Sequence, residues 1–261
     1  MKIDLTGKTA VVTGGSSGIG FAAVRALGLC GAKVAFCGTN EKRLADACDV
    51  LGKENICVYG EACDVADSAA LFNFADNAEK NLGEIGVWVS NAAVYPQYLL
   101  VETPEDVWYR TLDVNMKSVY LGGRIARRKM RNGGVLINAA SFAGIMPSVG
   151  SGLYAASKAA VSSMTKVLAA ELAPLCIRVC AYTPGVIDTG ITHPLIEANG
   201  EAMKNSIAMR RFGRCEEVGN CIAFLASDYA SYVSGVTLEI SGGKFCVQNP
   251  ADAWSHFETA S

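Results

Sequence analysis

The chain alternates between short apolar runs rich in β-branched residues and longer stretches with helical periodicity. The runs predict strands over residues 8–13, 33–38, 55–60, 86–90, 134–140, 176–182 and 236–240. The longer stretches predict helices over residues 19–30, 41–52, 67–82, 104–131, 152–173 and 215–227. This alternation is typical of βαβ units, and strands that are apolar nearly throughout are typical of a sheet covered on both faces. The sequence therefore predicts an α/β fold, a doubly wound parallel sheet of seven strands with helices on both faces, in a single domain over residues 1–261.

Two segments fall outside this alternation. Residues 188–210 form a mostly polar stretch after the sixth predicted strand. An insertion after the carboxyl end of a strand is a usual place for a substrate lid, and an ordinary surface excursion is the alternative. Residues 248–261, which include Trp254 and Phe257, form a C-terminal tail that either closes over a neighbouring subunit or extends into solvent.

Composition excludes several classes of function. The formal net charge is -2, whereas nucleic-acid binding needs a clustered basic surface. The one basic run, Arg124 to Arg131, is interpreted as the solvated end of a helix, with a docking patch as the alternative. No long apolar window predicts a membrane span or a signal peptide, so a soluble cytoplasmic protein is expected. None of the ten cysteines forms a C-x-x-C pair, which favours reduced thiols over disulfides or a metal site.

The sequence TGGSSGIG at residues 13–20 follows the first predicted strand and leads into the first predicted helix. A glycine turn at a helix N-terminus collects backbone N–H groups at one point, which suits the pyrophosphate of a dinucleotide. Gly14 is expected to allow the turn, Gly18 the close approach of the cofactor, and Gly20 the packing of helix on strand. A purely structural turn is the alternative. The predicted cofactor contacts here are Gly14, Ser16, Ser17, Gly18, Ile19 and Gly20.

Tyr154 and Lys158 are four residues apart on a predicted helix, so their Cβ atoms are expected about 5 to 6 Å apart on one face. A phenol with an ordinary pKa near ~10 is a poor acid or base at neutral pH, and an adjacent ammonium stabilises its phenolate. Ser141 lies upstream at the carboxyl end of a predicted strand, where open α/β sheets bind ligands. There it would stabilise charge on a substrate oxygen. An ordinary helix pair and a strand-end serine are the alternatives.

Six motifs in this order resemble the short-chain dehydrogenase/reductase family over residues 5–245: TGGSSGIG, Ser90-Asn91-Ala92-Ala93, Asn115, Ser141, Tyr154 with Lys158, and Pro184-Gly185. The resemblance implies a nicotinamide-dependent oxidoreductase on one Rossmann-type domain, usually a dimer or tetramer. The chain departs from the family at Ser90 and Ala93, where the family commonly has N-N-A-G.

The resemblance also assigns roles to individual residues. Asn115 would order a water that links Lys158 to solvent, and Lys158 would hold the nicotinamide ribose. Asp64 would lie toward the adenine, and the stretch from Pro184 to Thr189 would back the nicotinamide. The catalytic group is therefore expected to be Asn115, Ser141, Tyr154 and Lys158, with Tyr154 and Lys158 also contacting the cofactor. Further cofactor contacts are expected at Asp64, Val65, Asn91, Ala92, Pro184, Gly185, Ile187 and Thr189.

The end of the second predicted strand bears on the choice between NAD(H) and NADP(H). Family members that prefer NAD usually present an acid there, which would repel a 2′-phosphate. Here Cys37 and Gly38 occupy that end, although the Arg or Lys often found in NADP-preferring members at Ser17 or Thr39 is also missing. NADP(H) is favoured and NAD(H) is the open alternative. The predicted contacts are Cys37, Gly38, Thr39 and Asn40, with Ser16, Lys42 and Arg43 close enough to help bind a phosphate.

The predicted substrate wall contains no Asp, Glu, Lys, Arg or His. It comprises Ala93, Val94, Tyr95, Pro96, Phe142, Ala143, Ile145, Met146, Val149, Val186, Ile191 and Leu195. Such a wall favours an uncharged, fairly bulky ketone or secondary alcohol read by Ser141 and Tyr154, and similar walls occur in some hydroxysteroid dehydrogenases of the family. Reduction of a 3-oxoacyl group on an acyl carrier protein is the enzymatic alternative. A non-catalytic NADP-sensing regulator is the alternative from another class.

Overall fold

The computed structural model describes residues 2–190 and 192–259. Within them, seven strands form one fully parallel sheet in the order β3-β2-β1-β4-β5-β6-β7. The strands are β1 Thr9–Thr13, β2 Lys33–Gly38, β3 Val58–Ala62, β4 Ile85–Ser90, β5 Gly134–Ala139, β6 Ile177–Pro184 and β7 Thr237–Ile240. The strand order reverses between β1 and β4, and this reversal opens a crevice at the carboxyl ends of the strands. The predicted doubly wound parallel sheet of seven strands is confirmed.

Helices cover both faces of this sheet. They are α1 Gly18–Leu29, α2 Glu41–Lys53, α3 Ser68–Leu82, α4 Glu105–Leu112, α5 Ser118–Lys129, α6 Gly152–Leu172, α7 His193–Asn205, α8 Cys215–Ala226 and α9 Ala251–Thr259. One apolar cluster joins one face of the sheet to α1, α2 and α8. A second cluster joins the other face to α3, α5 and α6. In the ranges described, no helix is both long and apolar enough to cross a membrane.

Four elements differ from the sequence prediction. The third strand begins at Val58, later than predicted, because Asn55 takes a left-handed conformation (φ 59°) that turns the chain after α2. The helix predicted over residues 104–131 is divided by a π-helical turn at Asp113–Lys117. Helix α7 lies inside the stretch of residues 188–210, where a kink at Asn199 takes the place of the expected break. Helix α9 lies within the predicted tail.

Candidate active site

The glycine turn between β1 and α1 has the shape of an anion site. Gly14 (φ 66°) and Gly18 (φ 54°) both adopt the left-handed region that favours glycine. A Cβ at Gly20 would overlap the carbonyl oxygen of Gly14, so the helix can start this close to the strand only without a side chain. The N-cap residue of α1, Ser17, makes no side-chain capping bond to the first N–H groups. The residues present therefore fit a pyrophosphate at this helix N-terminus.

Asn91 ties the glycine turn to the neighbouring strand. Its Nδ2 donates to the carbonyl oxygens of Thr13 (2.9 Å) and Gly14 (3.2 Å). Its Oδ1 accepts a hydrogen bond from the hydroxyl of Tyr182 (2.8 Å). The side chain of Thr13 in turn accepts from the backbone N–H groups of Asn91 and Ala92. Asn91 thus acts on the site chiefly by fixing the turn.

A cleft of about 590 Å³ runs along the carboxyl ends of the strands from this turn to Tyr154. The predicted contacts that line it are Gly14, Ser16, Ser17, Gly18, Ile19, Gly20, Gly38, Thr39, Asn40, Asp64, Val65, Asn91, Ala92, Tyr154, Lys158, Pro184 and Thr189. Thr189 lies close to the glycine turn between β1 and α1, since a Cβ at Gly18 would lie 3.6 Å from the Cγ2 atom of Thr189. The cleft therefore joins most of the predicted cofactor contacts with Tyr154 and Lys158 in one groove, whereas Asn115 and Ser141 do not line it.

Three predicted cofactor contacts lie outside the lining of this cleft. Cys37 is fully buried, and its thiol interacts with the thiol of Cys63 in the core. Gly185 packs against Ser241, and its N–H donates to the Ile240 carbonyl (2.9 Å). Ile187 is buried in the core cluster beneath α8. These residues support the walls of the cleft from behind, a position that strand-end spacing alone does not reveal.

The residues that line the cleft and that sequence reasoning missed include Cys63, Arg110 and Tyr182. Cys63 directly follows β3, and the hydroxyl of Tyr182 donates a hydrogen bond to Asn91. Arg110 on α4 forms an ion pair with Asp64, with 2.7 Å between Nη1 and Oδ2. No local signal joins Arg110 to Asp64, which is 46 positions away. The sequence carried a signal for Tyr182, because a tyrosine on a buried strand has a hydroxyl group that usually needs a hydrogen-bond partner.

Ser141 and Tyr154 lie close together at the catalytic end of the cleft. Ser141 lies two residues after the end of β5. It is buried, and its side chain accepts a hydrogen bond from the N–H of Ala143 (3.2 Å). The ring of Tyr154 meets the ring of Tyr95 edge to face, with centroids 4.8 Å apart. Desolvation by burial raises the pKa of Tyr154 above its ordinary value, and hydrogen bonding with Ser141 opposes that rise. The phenol is therefore protonated at neutral pH.

Lys158 lies one helical turn after Tyr154 and is 2% exposed. Its Nζ donates to the carbonyl oxygen of Ala139 (2.8 Å) and lies 5.7 Å from the centroid of the Tyr154 ring. Burial lowers the pKa of Lys158 from 10.5 to about 8. The expected lysine therefore lies next to the phenol, while the pKa of Tyr154 is governed mainly by burial.

Asn115 lies in the π-helical turn, which directs its side chain into the protein. Its Oδ1 accepts from the N–H of Val94 (2.9 Å), and its Nδ2 donates to the Val94 carbonyl (3.0 Å). Nδ2 also donates to the hydroxyl of Ser157 (3.0 Å), which donates to the Tyr154 carbonyl (2.6 Å). Asn115 thus connects the loop after β4 to the helix that carries Tyr154 and Lys158.

The predicted substrate residues differ in burial. Tyr95, Phe142 and Leu195 are half-buried, whereas Met146 is exposed. Val186 is buried and borders a separate cavity of about 280 Å³ on the other side of its loop. Ile191 lies outside the described residues. The geometry thus leaves an apolar surface around the mouth of the site.

Comparisons with known proteins agree over nearly the whole chain. A family profile described as Enoyl-(Acyl carrier protein) reductase matches residues 14–244. The 3-oxoacyl-(acyl-carrier-protein) reductase FabG of Rickettsia felis is 37% identical, over 94% of this chain and 100% of that protein. Dehydrogenase/reductase SDR family member 4 of Homo sapiens is 36% identical, over 92% of this chain and 88% of that protein.

Solved structures are similar to the same extent. A blue fluorescent protein from a metagenomic library, in complex with NADPH, has a TM-score of 0.88 at 31% identity and is matched over 93% of this chain and 99% of that one. A short-chain type dehydrogenase/reductase from Mycobacterium marinum has a TM-score of 0.89 at 32% identity, over 94% of this chain and 98% of that one. Likeness at this level over both whole chains confirms the resemblance seen in the motifs: the chain belongs to the short-chain dehydrogenase/reductase family of oxidoreductases.

Proposed function

We propose that this protein uses NADP(H) to interconvert an uncharged, fairly bulky apolar ketone and the corresponding secondary alcohol. The observation that carries the proposal is the apolar rim beside Ser141 and Tyr154. Ile145, Met146 and Val149 are all exposed there, Val149 to 92%. The chain then continues to Gly150, whose carbonyl accepts from the N–H of Tyr98 and so brings a second exposed apolar segment, 98–101, alongside. Contiguous exposed apolar surface of this kind marks a binding site.

The roles of the polar residues follow from their geometry. The bound nicotinamide supplies or accepts the hydride. Tyr154 is protonated at neutral pH, so its hydroxyl is a proton donor for the oxygen of a ketone during reduction. Ser141 donates a hydrogen bond to the same oxygen. Lys158 supplies positive charge beneath the phenol, and Asn115 holds the two segments in register.

The preference for NADP(H) rests on the end of β2. Gly38 presents no carboxylate to repel a 2′-phosphate. Arg43 in the first turn of α2 lines the cleft together with Ser16 and Thr39, whereas Lys42 does not line it. The related structure in complex with NADPH supports the same preference. A guanidinium at this place would bind the phosphate through charge-assisted hydrogen bonds.

Parallel titrations with NADPH and NADH test this preference. Arg43→Ala is expected to weaken NADPH binding about tenfold and to leave NADH binding within twofold, because only NADPH carries the phosphate. Lys42→Ala is the matched control, since it removes an adjacent cation that does not line the cleft. Equal losses in the two variants, or a wild-type preference for NADH, would refute the assignment.

Reduction of 3-oxoacyl groups on an acyl carrier protein is the second candidate. It is favoured by the curated relatives that carry this name. The basic run offers a restricted docking surface: Lys129 and Arg131 are paired with Glu79. Arg124 and Arg128 stack over the ring of Phe72, and both are exposed at the surface. An acidic carrier would therefore meet fewer available cations than the sequence suggests.

One set of initial rates separates the two candidates. NADPH oxidation is measured with bulky apolar ketones, including a steroid ketone as the narrower candidate, and with one 3-oxoacyl group presented on a small thiol and on a carrier protein. The ketone proposal predicts turnover of apolar ketones and no gain from the carrier. Preference for the carrier-bound thioester by tenfold or more, abolished by Arg124→Ala with Arg128→Ala, would establish the second candidate instead.

Two structural roles complete the proposal. Residues 188–210 act as a lid, and part of the tail over residues 248–261 holds it, since Trp254 Nε1 donates to the Ala208 carbonyl (2.8 Å). The protein assembles as a dimer or tetramer through exposed aromatic side chains on α4 and α5, which include Trp108, Tyr109 and Tyr120. Light scattering after size exclusion tests the assembly, and a monomer at micromolar concentration would refute it.

A further inference from the structure

The segment that follows β7, residues 241–246, turns back across the end of the sheet. It leaves the sheet beside the end of β6, where Gly185 N–H donates to the Ile240 carbonyl. Gly242 (φ 62°) and Gly243 (φ 78°) then reverse the chain. Met209 N–H donates to the Gly242 carbonyl (3.0 Å), which fixes this turn beneath the segment that follows α7. The geometry directs the next residues toward the catalytic end of the cleft.

Phe245 is the residue that arrives there. Its ring packs on the ring of Phe142, with centroids 5.5 Å apart and planes inclined by 35°. Phe142 directly follows Ser141 and begins a 3-10 turn that the Ser141 side chain caps by accepting from Ala143 N–H. Phe245 therefore contacts the residue next to Ser141, whose hydroxyl is proposed to bind the substrate oxygen.

This aromatic pair is not part of the protein core. Both rings are only half-buried, and among the described residues neither belongs to the apolar clusters that hold the helices to the sheet. Ile145 and Met146, three and four residues after Phe142, are exposed. An apolar face beside the reacting centre that the protein itself leaves uncovered is available to an apolar group of the substrate.

We propose that Phe245 is a specificity-determining residue that, with Phe142, limits the size of the substituent next to the reacting carbon. The proposal rests on the ketone function proposed above. A flat apolar substituent would pack on the exposed faces of the two rings, and a larger one would meet the ring of Phe245. The two rings belong to segments 103 residues apart in sequence, so no linear motif reveals this wall.

The test is a kinetic series with methyl ketones whose second substituent grows from ethyl to biphenyl, at saturating NADPH. Phe245→Ala is expected to raise the ratio of kcat/KM for the largest ketone to that for the smallest by about tenfold, in the range that pocket size usually provides. Phe245→Trp is expected to lower the same ratio, which keeps the test informative if the smaller side chain impairs folding. For both variants, NADPH affinity should stay within twofold of wild type, because Phe245 does not line the cofactor cleft.

Tyr232→Ala is the control, because it truncates a fully exposed aromatic residue outside the site. If the wild type reduces the ketones and both Phe245 variants keep its ratio within twofold, the role of Phe245 is refuted and the proposed function stands. If the wild type reduces none of the ketones, the proposed function fails, and the role of Phe245 fails with it.

Discussion

Replacement of Lys158 by Met should stabilise the protein at pH 7 while abolishing turnover. The ammonium is buried, it donates a hydrogen bond to the Ala139 carbonyl, and the pKa of Lys158 is lowered from 10.5 to about 8. This difference corresponds to about 3 kcal/mol that the folded protein loses by keeping the side chain charged. Loss of the hydrogen bond offsets about 1 kcal/mol, because Met leaves a buried carbonyl without that partner. A net gain of about 2 kcal/mol in the free energy of unfolding is expected.

The gain should depend on pH in a defined direction. Below about pH 8 the side chain is protonated in both folded and unfolded protein, so the full cost of the buried charge is present. Between about 8 and 10.5 the folded protein has released the proton and the unfolded chain has not, so the wild type becomes more stable as pH rises. The advantage of Lys158→Met should therefore shrink across this window and be nearly gone by about pH 10.

Urea unfolding followed by circular dichroism at pH 7 and pH 10 measures the effect. Lys166→Met is the matched control, because Lys166 lies on the same helix and is exposed, so its replacement should change stability by less than about 0.5 kcal/mol at either pH. A variant that is no more stable than the wild type at pH 7 would refute the reasoning. So would a gain that is equal at both pH values.

Three further perturbations test other parts of the structure. Gly20→Ala should reduce cofactor affinity at least tenfold and lower the melting temperature, because the new Cβ would overlap a backbone oxygen. Gly52→Ala is the control: this glycine faces open space on α2, so the change should be neutral or slightly stabilising. Equal changes in the melting temperatures of the two variants, measured by calorimetry, would contradict this. Asn115→Ala should lower the free energy of unfolding in urea by about 2 kcal/mol, because the part-buried N–H and carbonyl groups of Val94 would lose their hydrogen-bond partner. A loss below about 0.5 kcal/mol would contradict that role. Asp67→Ala should cost about 1 kcal/mol, because its side chain caps α3 through the N–H groups of Ala69 and Ala70; turnover should not change.

The sheet was predictable because most of its strands are short, apolar and bounded by turn residues, although β3 and β7 at its edges are only partly buried. That local pattern is enough to specify a strand covered on both faces. Helix α7 was not predicted, since residues 193–205 are mostly polar and contain Asn199-Gly200. The kink at Asn199 accommodates these residues without ending the helix. The π-helical turn could not be predicted from the sequence either, because it depends on the contacts of Asn115 with Val94 and Ser157.

The candidate site was predictable where it depends on spacing along one element. Tyr154 and Lys158 share a helix face, and Gly14 and Gly20 share one turn. Its remaining parts depend on contacts between distant segments, such as Arg110 with Asp64 and Phe245 with Phe142. The pKa of Tyr154 also needed the structure, since burial raises it, the hydrogen bond with Ser141 lowers it, and the depth of burial decides between them.

Deuterium transfer from NADPH that carries deuterium at both positions of the nicotinamide C4 tests the proposed hydride transfer and the role of Tyr154 most directly. The wild type and Tyr154→Phe are incubated with the labelled cofactor and the best apolar ketone, and the product is analysed by mass spectrometry. The wild type should give an alcohol carrying one deuterium, and the variant at least about a hundredfold less of it at saturating NADPH. An unlabelled alcohol, or transfer by Tyr154→Phe at the wild-type rate, would contradict this prediction.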